Sequence, residues 1–132
     1  MSTHTQTPTT VHDIGVVMFT VTDQDAALAF YTEKLGWEVR GDARFGEHGE
    51  HRWLEVAPPG STARLALNPP MFGSPGGSAI GVETTDLAAE HARLSAIGGI
   101  EMEPLPDEDT PGAPAMFMLR DPDGNVVTVV RV

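Results

Sequence analysis

The chain repeats itself. "VTDQDAALAFYTEKLGWEV" begins at Val21, and "ETTDLAAEHARLSAIGGIEM" begins at Glu83. A shift of 63 positions lays Thr22-Asp23 on Thr85-Asp86, Gly36 on Gly99, Glu38 on Glu101 and Val39 on Met102. Self-similarity of this kind means two copies of one supersecondary unit, each needing a partner against which to bury its apolar face. The unit is longer than a solenoid repeat and occurs only twice, so a paired-module domain is expected rather than an array.

Each copy reads as β-α-β-β-β. "IGVVMFTVT" (14–22) has the β-branched content of a strand. The helix 23–36 is capped by Asp23, closed by Gly36, and carries Phe30, Tyr31 and Leu35 on one face. "WEVRGDARF" follows as a strand. "HRWLEVAPPG" and "STARLALNPP" form a hairpin about Pro58-Pro59-Gly60. In the second copy the strand "SAIGVETT" (78–85) leads to a helix 86–99 between Asp86 and Gly98-Gly99. The strands "IEMEPL", "APAMFMLR" and "NVVTVVRV" come next, the last two joined through "DPDGN". The expected organisation is a polar tail over 1–12 and one domain over 13–132: module one 13–70, linker 71–77 and module two 78–132.

With 132 residues and 40% apolar content, the chain can bury an ordinary core. It holds no cysteine, which removes disulfides and thiolate sites and suits a cytoplasmic protein. Its start lacks the basic and apolar regions of a signal peptide, and no apolar run is long enough to cross a bilayer, so no membrane partner is expected. Nineteen acids against eight Lys and Arg give a net charge of −11, which argues against nucleic acid as a partner. Acidity of this size reads as a solvated surface, or as an attraction for a cationic ligand. "PDEDT", with Asp107 and Asp109, is expected in an exposed loop.

The helix signature "AFYTEKLG" and the later "LRDPDGNVVTVV" resemble the vicinal oxygen chelate superfamily, which contains glyoxalase I, extradiol dioxygenases and bleomycin-resistance proteins. The likeness runs from Ile14 to about Arg131. It implies an α+β fold in which two βαβββ modules form a cup-shaped, half-open β-barrel with flanking helices, completed or flanked in a homodimer. It also implies four metal-ligand positions, on the first and last strands of each module, that map onto Val16, Ala66, Ala79 and Thr128. Valine and alanine have no lone pair to donate, and threonine is a weak neutral donor, whereas a divalent ion takes three or more ligands. The expectation is a member without metal or other cofactor.

Alternation along the strands turns residues of the same parity toward the cup. Val16 and Met18 share the first strand, Arg64, Ala66 and Asn68 the fourth, and Ala79 and Glu83 the fifth. Met71 and Phe72 stand at the rim. Trp53 and the strand of Met116 and Met118 complete the expected ligand surface, with their facing left open. Methionine and aromatic side chains suit an apolar or planar ligand, and equally suit a core. Arg64 could hold a carboxylate or phosphate, or pair with an acid. Glu83 could act as a base or be a solvated carboxylate. Elsewhere, "EHGEH" gathers His48 and His51 with Glu47 and Glu50, either as a chelating loop or as a polar turn. His51 and Glu55, about 13 Å apart along a strand, are too distant for one ion. His91 reads as a helix-edge residue. "GSPGGS" (73–78) precedes a strand, not a helix, so it reads as a linker or lid rather than a phosphate cradle.

These features favour a binding protein, without assigned catalytic residues, that binds an apolar or cationic small molecule for sequestration or resistance. A metal-dependent lyase or dioxygenase, a metal-free isomerase or cyclase using Glu83 or Arg64, and an accessory dimer without ligand are the alternatives.

Overall fold

Asp23 starts the first helix as expected: its carboxylate accepts from the backbone N–H groups of Asp25 and Ala26 at 2.9 and 3.1 Å. The computed structural model describes residues 7–70, 73–106 and 111–132. In chain order these form β1 (Val16–Thr20), α1 (Gln24–Ala29), β2 (Glu38–Phe45), β3 (His51–Ala57), β4 (Arg64–Asn68), β5 (Ala79–Thr84), α2 (Leu87–Ile97), β6 (Glu101–Met102), β7 (Met116–Arg120) and β8 (Val126–Arg131). Between α1 and β2 the helix widens to a π-helical turn over Phe30–Lys34, ending where Gly36 adopts a positive φ of 76°. α2 is capped by Asp86 and stops at Gly98.

Two four-stranded mixed sheets result, in the orders β1-β4-β3-β2 and β5-β8-β7-β6. They do not close into a barrel and leave an open cup. The two copies match strand for strand. β1 runs parallel to β4 with Val16 opposite Arg64 and Met18 opposite Ala66. β5 runs parallel to β8 with Ala79 opposite Val126 and Gly81 opposite Thr128. The repeat is therefore 63 residues on the first strand and 62 on the last, where Ala66 and Thr128 occupy equivalent places.

Alternation separates the two faces of each sheet. Phe19, Leu54, Val56, Leu65 and Leu67 of the first sheet pack into one cluster with Phe117, Leu119, Val127 and Val129 of the second. Tyr31, Leu35 and Leu94 join them from the helical segments. The core is thus shared between the copies, as units that cannot bury their apolar faces alone require.

Polar contacts hold the copies together where the sequence carries its family signature. Tyr31 donates to Asp121 Oδ2 at 3.0 Å, joining "AFYTEKLG" to "DPDGN". Asp121 Oδ1 also accepts from the backbone of Asp123 and Asn125, shaping the turn. Asp123 accepts from the hydroxyl and amide of Thr22, and Asn125 donates to Thr20 O. At the far ends of the helices the capping is reciprocal. Lys34 Nζ donates to Gly98 O, and Arg93 donates to Leu35 O. Each cation meets the carbonyl-rich end of the other copy's helix, where the dipole favours it.

The structure departs from expectation in three places. The first strand is shorter than 14–22, and Ile14 is exposed. "IEMEPL" yields only the two-residue β6, because Pro104 and Pro106 supply no amide to a ladder. The end of "GSPGGS" is anchored: Val126 N donates to Ser78 O, and a Cβ on Gly76 would clash with the Asp123 carbonyl oxygen. The expected acidic loop at Asp107–Asp109, His4, Met71 and Phe72 fall outside the described residues.

Candidate functional site

The faces turned away from the shared core form the candidate site. On the first sheet β3 places Trp53 and Glu55 on this face, since Leu54 and Val56 point into the core. Val16, Met18, Arg64 and Ala66 share it by the same alternation and by register: Ala66 stands opposite both Met18 and Glu55. On the second sheet Met116 and Met118 lie on the outer face, 37% and 40% exposed, while Phe117 and Leu119 are buried. The facing left open by the sequence is thereby decided for Trp53 and for both methionines.

The polar centre of the first sheet is a three-residue cluster. Glu55 is buried, and its carboxylate accepts from Trp53 Nε1 at 3.0 Å. Arg64 Nε sits 2.9 Å from Glu55 Oε1. Its N–H does not point along that vector, so the contact is an ion pair without a hydrogen bond. Gly41, opposite Glu55 on β2, leaves room for this carboxylate: a Cβ there would lie 3.5 Å from Oε1.

Beside this cluster lies a cavity of about 600 Å³ between the two sheets. Arg64 and Leu65 form one wall, the 58–61 turn and Trp37 another, and β5 from Ala79 to Glu83 a third. β1 and β5 are edge strands of their sheets, each hydrogen-bonded on one side only. Most of the cavity lining is apolar, with Arg64 and Glu83 supplying its charged side chains.

Arg64, Ala79 and Glu83 are the expected site residues that this cavity brings together. Val16, Met18, Trp53, Ala66 and Asn68 belong to the first sheet outside its lining, and Thr128 to the second. Met116 and Met118 border a separate depression with Leu105 and Pro106. Sequence reasoning missed Glu55, Trp37, Pro58 and Pro59. The signal for Glu55 was present: it shares the parity of Trp53 in a strand whose other face carries Leu54 and Val56. Trp37, read as the first residue of the strand "WEVRGDARF", lies just ahead of β2, which begins at Glu38.

The glyoxalase/bleomycin resistance protein/dioxygenase superfamily profile matches residues 13–129. The chain belongs to this superfamily. The Bacillus subtilis (strain 168) protein YetH, described as uncharacterised, is 35% identical over 119 residues, covering 88% of this chain and 95% of YetH. TnmS3, an antibiotic binding protein from Streptomyces sp. CB03234, is 31% identical with a TM-score of 0.80, covering 94% of this chain and 98% of that one. A superfamily member from Sphaerobacter thermophilus DSM 20745 is 28% identical with a TM-score of 0.81, covering 92% and 98%.

The positions at which the sequence resemblance leads one to expect metal ligands, Val16, Ala66, Ala79 and Thr128, offer one hydroxyl between them. That donor set does not fit a divalent ion. Among the described residues no group of three or more His, Asp or Glu side chains is placed to hold a metal. His48 and His51 lie in and beside the β2–β3 turn. Glu50 accepts from His48 N at 2.8 Å and stands 3.8 Å from His51 Nε2. His91 packs edge-on against Phe117 with ring centroids 4.9 Å apart, its Nε2 3.0 Å from Glu103 O. Among the described residues no helix is long and apolar enough to cross a membrane.

Proposed function

We propose that this superfamily member is a cytoplasmic small-molecule-binding protein that sequesters an apolar, antibiotic-like ligand rather than converting it, and does so without a metal or other cofactor. The observation that carries the reading is the apolar-walled cavity between unclosed sheets, which Ala79 lines where the resemblance expects a ligand. The likeness to TnmS3, described as an antibiotic binding protein, supports it. Val16, Met18, Trp53, Arg64, Ala66, Asn68, Met71, Phe72, Ala79, Glu83, Met116, Met118 and Thr128 remain the proposed ligand surface, to which Trp37 and Glu55 are added. The exposure of Met18, Met116 and Met118 on faces that another copy would cover supports a homodimer.

Thermal denaturation in the presence of bleomycin-type glycopeptides and planar aromatic antibiotics tests the binding. At least one is expected to raise the midpoint in a concentration-dependent way. A panel without any shift would remove the reading. Elemental analysis of protein purified without chelator is expected to show only substoichiometric metal. One Zn, Ni, Fe or Mn per chain would instead support the metal-dependent lyase or dioxygenase.

A further inference from the structure

Three arginines commit their guanidinium groups to hydrogen bonds within the fold. Arg52 spends its fork on Asp42 at 2.8 and 2.9 Å and adds Asp25 at 2.6 Å. Those hydrogen bonds hold the Asp42 carboxyl below the usual carboxylate range. Arg93 grips both oxygens of Glu90 and the carbonyl of Leu35. Arg40 binds the carbonyls of Ser61 and Pro58. Arg64 differs. Its Nε pairs with Glu55 Oε1 at 2.9 Å, the side chain is 39% exposed, and no hydrogen bond joins Nη1 or Nη2 to another described residue. The same side chain lines the cavity.

Resting on the small-molecule reading above, we infer that Arg64 is an anion anchor: the ligand is an apolar molecule bearing one carboxylate or comparable anionic group, which the free Nη fork takes while the apolar part fills the cavity. Geometry favours this over a cationic ligand. The buried acid Glu55 is engaged by Trp53 and Arg64 and is not part of the cavity lining, so it does not offer itself to an ammonium group there. Glu55 also fixes the root of the guanidinium and leaves its two terminal nitrogens free, which suits bidentate capture of a planar carboxylate. Among the described residues Glu83, exposed on β5, is the acid that lines the cavity. It lies on a different wall from Arg64 and disfavours a second negative group on the ligand. The net charge of −11 acts mainly through distant, solvent-exposed groups that salt screens over about 10 Å.

The test uses three probes of one shape, 2-naphthoate, 2-naphthamide and 2-naphthylmethylammonium, titrated into 15N-labelled protein at neutral pH. The naphthoate is expected to bind roughly tenfold or more tighter than the amide, the usual gain from a charge-assisted hydrogen bond, and tighter still than the ammonium. Shifts should centre on the Trp37 indole and the Gly60 and Gly81 amides that border the cavity. Arg64→Gln alone strands the buried Glu55 carboxylate, so the paired change Arg64→Gln with Glu55→Gln serves as the folded comparison. In that double variant naphthoate and naphthamide should bind equally. Equal binding of acid and amide to the unaltered protein, or an acid preference surviving in the double variant, overturns the anion anchor and leaves small-molecule binding standing. Preference for the ammonium overturns it as well. Failure of all three to perturb the cavity amides overturns both.

Discussion

Tyr31 shows how much one hydroxyl can decide. The ring is fully buried, and its O–H donates to the buried Asp121 across the module boundary. Burial first, and the Asp121 carboxylate second, push its ionisation well above the ordinary tyrosine range. The native state therefore keeps the proton above pH 10, where the unfolded chain loses it. The contribution of Tyr31 to stability is constant below that pH and falls above it, by at most about 1.4 kcal/mol per pH unit. Tyr31→Phe should cost about 1–3 kcal/mol at pH 8, because Asp121 loses a donor. At pH 11 the gap between variant and parent should narrow by about 1 kcal/mol, since phenylalanine has no proton to keep. Urea denaturation at both pH values checks this, and a gap that does not change would contradict the assignment. Two adjacent glycines make a second contrast. Gly76 and Gly77 both have φ near 80°, but a Cβ would strike the Asp123 carbonyl only at Gly76. Gly77→Ala should cost the left-handed penalty of about 1–2 kcal/mol. Gly76→Ala should cost clearly more, and equal midpoints would refute the close approach.

Among the elements, the helices were the most legible in sequence because their ends are chemical. Asp23 and Asp86 cap as their positions promised, and Asp86 accepts from Ala89 N at 3.0 Å. Asp86→Ala should destabilise the protein by about 1 kcal/mol, read from its denaturation midpoint. The π-helical widening over Phe30–Lys34 was not legible. No propensity marks it; it buries Phe30 and Tyr31 side by side against a core that local sequence does not contain. The reciprocal caps from Lys34 and Arg93 were hidden for the same reason, since their partners lie in the other copy. Strand facing followed from alternation wherever one residue could be anchored to the core, as Leu54 anchors β3 and Phe117 anchors β7. It could not be oriented from β3 or β7 alone.

For the whole molecule, the proposed homodimer makes a concrete demand on the exposed outer faces. Met18, 56% exposed on β1, and Met118 on β7 would be covered by the second copy. Met18→Glu and Met118→Glu should leave the monomer folded, because neither side chain belongs to the shared core, yet shift sedimentation toward monomer at micromolar concentration. Unchanged sedimentation of a dimeric parent would place its interface elsewhere.

The repeat, the helix caps and the turn motif specified two βαβββ copies in advance, because periodicity, capping and turn chemistry are local properties written within a few residues. Which side chains meet across the copies belongs to the folded chain alone. Tyr31 reaches Asp121, and Arg64 reaches Glu55 beside a cavity bounded by β5, through contacts between residues far apart in the chain. Such contacts depend on how two curved sheets settle on a common core, and no local pattern records that.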